Sequence, residues 1–131
     1  VPEPGSTGTA VFIKSLFERH QDEKIERALE FLQRFPPSWG GPQYNGYFYF
    51  ASFYMAQGIF QIGGEAWEEW RPQLQRVLIR HQSGDGSWPL PPDNAEHSRL
   101  TGPAYPTAMA VLILSLDKQA LPMYQRQKQL F

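Results

Sequence analysis

The 131-residue chain carries 12 basic and 13 acidic residues, a formal net charge of -1, which offers no broad electrostatic footprint for nucleic acid or an anionic membrane surface. It has no cysteine, so a disulfide framework, cysteine-ligated zinc and thiol catalysis are excluded and the compartment is left undetermined. The length suits a single domain, residues 1–131, around one core; no apolar run approaches the roughly 20 residues of a membrane span, and VPEPGSTGTA lacks the basic and apolar regions of a signal peptide.

In chain order, TAVFIKSLFERH sets Val11, Phe12, Ser15, Leu16 and Arg19 at helical intervals, with Thr7 or Thr9 as cap. DEKIERALEFLQRF follows, with Asp22 as N-cap, acids in the first turn and an apolar stripe of Ile25, Ala28, Leu29, Leu32 and Phe35, ended by Pro36 and Pro37. Aromatic residues make up 15% of the chain and concentrate in YNGYFYFASFYMAQGIF, which means a well-filled core or a lined cavity, core packing being the commoner case. A strand competes here because aromatics favour sheets, but no partner strand is in view. The expectation is a central buried helix from about Tyr44 to Ile62, closed by Gly63 and Gly64.

GEAWEEWRPQLQRVLIRHQ is amphipathic, with Trp67, Trp70, Leu74, Val77 and Leu78 on one face, and Pro72 predicts that the regular helix starts near it. Residues 83–102 read as a long loop containing Pro89, Pro91 and Pro92. PTAMAVLILSL is almost wholly apolar and is expected to be a buried helix; DKQALPMYQRQKQLF continues amphipathically, broken by Pro122. Thr9-Ala10 and Thr107-Ala108 each open an apolar segment ending in Ser-Leu, an internal echo that suggests helix-pair repeats.

Between these segments lies QSGDGSW, Gln82 to Trp88. The Gln82 amide can satisfy groups exposed at helix ends, the Trp88 ring can lie as a plate over that amide, and Gly84 and Gly86 permit a tight path. With Leu78 four residues before Gln82, the stretch resembles the latter half of the glutamine-tryptophan repeat motif of triterpene cyclases, although Val77 stands where an aromatic is expected. RALEFL, Arg27 to Leu32, resembles the first half, with Pro36 in the glutamine position. YFASFYMAQGIFQIGGEAWEEWRPQL, GSW, YPTAMAVLILSL and LPMYQR together look like squalene cyclase and prenyltransferase-type repeat proteins. That resemblance implies an all-α fold of α/α toroid type, here about five or six helices forming a partial ring, since a complete ring of about a dozen helices exceeds this length about twofold. It also implies that Gln82, Gly86 and Trp88 tie neighbouring helices together.

The family's chemistry is harder to place. A cyclase of this kind protonates an alkene or epoxide with a strong acid placed just before a Thr-Ala helix start and stabilises cations on aromatic faces. Here those places read PAYPTA and STGTA, without a carboxylate. The prenyltransferase zinc site needs a cysteine, and diphosphate-ionising cyclases need an acid-rich magnesium site that is not present. The remaining groups are Asp85, Asp93, Glu96, His97 and His81. Asp93 and His97 would face each other at i and i+4 in a helical turn, as an acid-base or metal pair; the plainer reading is a solvated loop. Asp85 is read as turning its loop, and His20 and His81 as ending helices, where a cation suits the dipole.

The expectation is a domain with no cofactor or metal and no catalysis of its own, acting as a binding or interaction module. Tyr47, Phe50, Tyr54 and Trp70 would form a hydrophobic surface. Its partners would be an isoprenoid or other apolar small molecule, a second copy, or the remainder of a parent chain. Two alternatives stand beside it: a fragment of a triterpene cyclase or prenyltransferase-like enzyme whose acid lies elsewhere, and an interaction repeat whose aromatics are simply core.

Overall fold

The computed structural model describes residues 4–17, 23–92 and 102–118, and among them are five α-helices, two short 3-10 turns and no strand. The helices are α1 (Pro4–Phe17), α2 (Glu23–Gln33), α3 (Phe48–Ile62), α4 (Gly64–Arg80) and α5 (Ala104–Leu114), with the 3-10 turns at Pro42–Tyr44 and Leu116–Lys118. An all-α class follows directly.

The aromatic segment is the helix at the centre. Eleven of the fifteen residues of α3 are buried, as an element apolar all round requires. It begins at Phe48 instead of Tyr44, because Asn45 takes a left-handed conformation (φ 49°) after the 3-10 turn and interrupts the ladder. The Tyr44 hydroxyl accepts the Ser38 amide at 3.1 Å, holding that turn to the chain before it. Gly63 caps α3 through its amide to Ile59 O at 2.8 Å, and α4 begins at the next residue.

α1 starts at Pro4, earlier than Thr7 or Thr9. A proline serves well at a helix start, where its missing amide proton is not needed. Glycine in a helix interior costs about 1 kcal/mol relative to alanine, and contact with α3 explains its presence here. A Cβ at Gly8 would stand 2.6 Å from Met55 Cγ and 2.7 Å from Met55 Cα, and one at Gly5 would stand 2.9 Å from Ala51 Cβ. Since Gly5 meets Ala51 and Gly8 meets Met55, α1 and α3 run in the same direction, backbone against backbone.

α4 is continuous through Pro72, contrary to the expectation that it begins there. Pro72 and Glu68 are both exposed, so the carbonyl that the missing amide leaves unpaired can turn to water. Trp67, Trp70, Leu74 and Leu78 are buried and Val77 is half-buried, as the amphipathic pattern predicts. α4 runs back along α3: Phe60 meets Trp67 near their junction, at 5.2 Å between centroids, and Trp39 touches both Phe48 at the start of α3 and His81 at the end of α4. It also runs against α5, with Arg71 paired to Asp117 and Trp88, just past α4, bonded to Thr107. Consequently α1, α3 and α5 share one direction.

α2 contributes Ile25 and Leu32 to the interior, with Leu29 partly buried; Phe35 lies just past its end and rests on Phe31 at 5.1 Å. α5 departs from expectation. Pro106, Ala110 and Ile113 are buried, while Val111 and Leu112 are 49% and 39% exposed. A helix apolar on all sides carries no internal mark of which side is covered, and among the described residues α3, α4 and Trp88 cover only part of α5. No helix of the described residues is long and apolar enough to cross a membrane.

The α1–α3 contact inverts the usual rule for helical glycine. Gly8→Ala, whose Cβ meets main-chain atoms of Met55, should destabilise by about 2–3 kcal/mol, whereas Gly84→Ala, with nothing within 4 Å, should change stability by less than about 1 kcal/mol. Urea unfolding midpoints of the two variants measure this; equal midpoints would show that the backbones are not in contact.

Candidate functional site

Three places gather the side chains that could carry function. The first is the head of α3. Tyr47 and Phe50 are 47% and 48% exposed, and Tyr54, half-buried one turn on, holds the Phe50 ring at a centroid distance of 4.8 Å. Positions 47, 50 and 54 fall on one side of the helix by their spacing, so three of the four residues expected to form an apolar surface are together. Trp70 is not with them. It is 6% exposed, on α4, with its ring 6.5 Å from that of Trp67.

The second place is the QSGDGSW loop. Ser83 N donates to Ser87 O at 2.8 Å and Gly86 N to Ser83 O at 2.9 Å, closing a tight turn. Gly86 has φ 90°, a conformation that glycine adopts without strain. Asp85 accepts from the Ser87 amide at 3.0 Å and from its hydroxyl at 2.6 Å. It therefore turns the loop, as expected. The Ser87 hydroxyl first, and then its amide, hold the exposed Asp85 carboxyl below its ordinary range.

Gln82 does not reach a neighbouring helix: its exposed amide donates to Gly86 O at 2.8 Å, within its own loop. The inter-helix tie belongs to Trp88. Its ring is 5% exposed, its Nε1–H donates to Leu78 O in the last turn of α4 at 2.8 Å, and its main-chain amide donates to Thr107 Oγ1 in the first turn of α5 at 3.0 Å. The physical reason is exposure: an amide in water has no need of a protein partner, while a buried indole N–H must find one. Thr9, the counterpart of Thr107 in the sequence echo, instead donates back to Gly5 O at 2.9 Å.

The third place is the seam of α4 with α5 and the turn after it. Trp67, Trp70, Leu74 and Gln75 face Ile113, Leu114 and Asp117 across a small cleft, and the Arg71–Asp117 ion pair spans the same seam. Neither partner of this pair stood out in the sequence, because 46 residues separate them. Comparably long separations hide the stack of Trp39 on His81, with ring centroids 4.2 Å apart and planes nearly parallel, and the Tyr49 hydroxyl donating to Pro89 O at 2.5 Å. Ser52, Gln57 and Gln61, buried on α3, were legible in principle, since polar residues inside an apolar helix stand out. Asp93, Glu96, His97, His20 and Asp22 lie outside the described residues.

Comparison of the chain with protein families, with characterised proteins and with solved structures finds no match.

Two outcomes test the loop. Trp88→Phe, which keeps the ring but removes the donor to Leu78 O, should cost about 1–3 kcal/mol, against less than about 1 kcal/mol for Gln82→Ala at an exposed position; thermal unfolding of the two variants ranks them. Because the folded Asp85 value is depressed, the loop's stabilisation is present above the unfolded value and is lost as pH falls through the folded one. The Ser87 amide resonance should therefore titrate with a midpoint below that of an ordinary aspartate; a midpoint at the ordinary value would show that the turn does not hold the carboxylate.

Proposed function

We propose that the chain is a squalene cyclase- and prenyltransferase-like α/α repeat domain, non-catalytic by itself, that offers the aromatic edge at the head of α3 to an apolar small molecule of isoprenoid type. The observation that carries this reading is the exposure of Tyr47 and Phe50 beside a helix that buries eleven of its fifteen residues. Large rings grouped in water on one face are what an apolar ligand would cover. The common direction of α1, α3 and α5 supports the repeat, because helix pairs set side by side produce one layer of like-directed helices. The Thr-Ala echo falls on α1 and α5, two members of that layer. The residues just before each echo, Ser6 to Gly8 and Ala104 to Pro106, carry no carboxylate, which supports a role without proton donation from these places.

The exposed side of α5 favours a second reading. Val111 and Leu112 would be covered by the next helix of the layer if the chain were part of a triterpene cyclase or prenyltransferase-like enzyme whose acid lies outside it. A second copy would cover them equally.

Titration with farnesol, followed by intrinsic fluorescence, tests the ligand surface. The unaltered protein should saturate, and the Tyr47→Ala, Phe50→Ala double variant should bind about tenfold more weakly or worse, a loss of about 1.4 kcal/mol. Its stability should stay within about 1 kcal/mol, since both rings are half in water. Collapse of stability would identify the rings as core, and retained stability with undiminished uptake would remove the edge as the ligand surface.

A further inference from the structure

The residues that lead into α3 combine a particular turn with a labile dipeptide. The Tyr47 amide donates to Tyr44 O at 2.8 Å, closing a four-residue turn whose central residues, Asn45 and Gly46, have φ 49° and 80°. Positive φ at both marks a type I′ turn, and Asn-Gly is a pair that tolerates it well. Asn-Gly is also the pair in which a main-chain nitrogen most readily attacks the preceding side-chain amide, because glycine has no Cβ to hinder the approach. Asn45 is exposed, and among the described residues the Gly46 amide has no acceptor.

We propose that Asn45 is a site of spontaneous modification, at which the side chain passes through a cyclic imide to aspartate and isoaspartate. The Gly46 nitrogen forms a bond to Asn45 Cγ, the Cγ–Nδ2 bond breaks, and Nδ2 leaves as ammonia with the proton from Gly46. Water then opens the ring. Cleavage at Cγ restores the main chain with aspartate at this position, and cleavage at the main-chain carbonyl leaves the chain running through Cγ as isoaspartate. The turn permits the first step: flipping only the peptide plane between Asn45 and Gly46 converts type I′ to type II′ and leaves the Tyr47 amide on Tyr44 O. That flip brings the Gly46 nitrogen round to the side of the Asn45 Cβ. The products bear on α3, which has no acid in its first turn and no side-chain cap. Either product adds negative charge near the positive end of that helix, and isoaspartate also lengthens the chain just before Tyr47.

Asp85-Gly86 is the contrasting case. The Gly86 amide donates to Ser83 O at 2.9 Å, and the Asp85 carboxylate accepts from the Ser87 amide and hydroxyl; an ionised carboxylate is itself a poor centre for attack. The fold thus shields one such dipeptide and leaves the other open. No ligand at the aromatic edge is involved, so the proposal stands apart from that reading.

The test incubates the folded protein and the guanidinium-unfolded chain at the same mildly alkaline pH. Proteolytic peptides are then mapped by mass spectrometry, with fragmentation that separates isoaspartate from aspartate. In the folded protein Asn45 should convert, with isoaspartate the larger product, at a rate within about tenfold of the unfolded chain, equivalent to about 1.4 kcal/mol of protection. Asp85 should form isoaspartate only in the unfolded chain, and Asn94, followed by Ala95, should convert more slowly than Asn45. Stronger protection of Asn45 by folding, conversion of Asn94 as fast as Asn45, or isoaspartate at Asp85 of the folded protein at the Asn45 rate would each overturn the proposal.

Discussion

A helix with no polar face has to be surrounded, and α3 imposes that requirement on everything else. Phe48, Tyr49, Met55, Ile59 and Phe60 are all within 2% of complete burial, and they project in different directions around its axis. One neighbour could cover only part of them. α1, α4 and α5 each take a side, and the side taken by α1 is the most demanding, because there the backbones meet through Gly5 and Gly8. The glycines lower the intrinsic propensity of α1 in exchange for contact with α3, so the first helix is stable as a partner more than as a helix.

Burial on this scale creates polar obligations, and the chain meets several of them over long sequence separations. The Tyr49 hydroxyl finds Pro89 O, 40 residues away, and Trp88 finds Leu78 O on one helix and Thr107 on another. Each bond is worth little net but would be expensive to leave unmade. They fix the path of the described residues that follow α4, where Trp88 and Pro91 are buried and Leu90 is partly buried. The Asp85 turn is then a local device serving a tertiary one, since it delivers Trp88 to the place where its ring and both its N–H groups are used.

The functional reading depends on where packing stops. Covering α3 leaves Tyr47 and Phe50 at its head and Val111 and Leu112 on α5 partly in water. The two patches differ in kind. The first is aromatic and braced by Tyr54 and suits a flat or chain-like apolar ligand, while the second is an aliphatic helix side of the sort that another helix covers. Both meanings are compatible with a layer of like-directed helices, and neither needs a catalytic group in the described residues.

Periodicity and punctuation in the sequence determined the helical class, the central place of the aromatic segment, the inward face of α4 and the turning role of Asp85. Each is set by contacts within a few residues or by the balance of apolar and polar positions on one helix. The early start of α1 at Pro4 and the continuity of α4 through Pro72 were decided by surroundings: contact with α3 in the first case, an exposed position that tolerates a lost hydrogen bond in the second. The sequence also grouped Trp70 with Tyr47, Phe50 and Tyr54, because an aromatic ring looks the same whichever way its helix turns. Which tryptophan binds across helices, which apolar side of α5 is left open and how Arg71 meets Asp117 follow only from the tertiary arrangement, since burial and long-range hydrogen bonding belong to pairs of elements and leave no mark on either one alone.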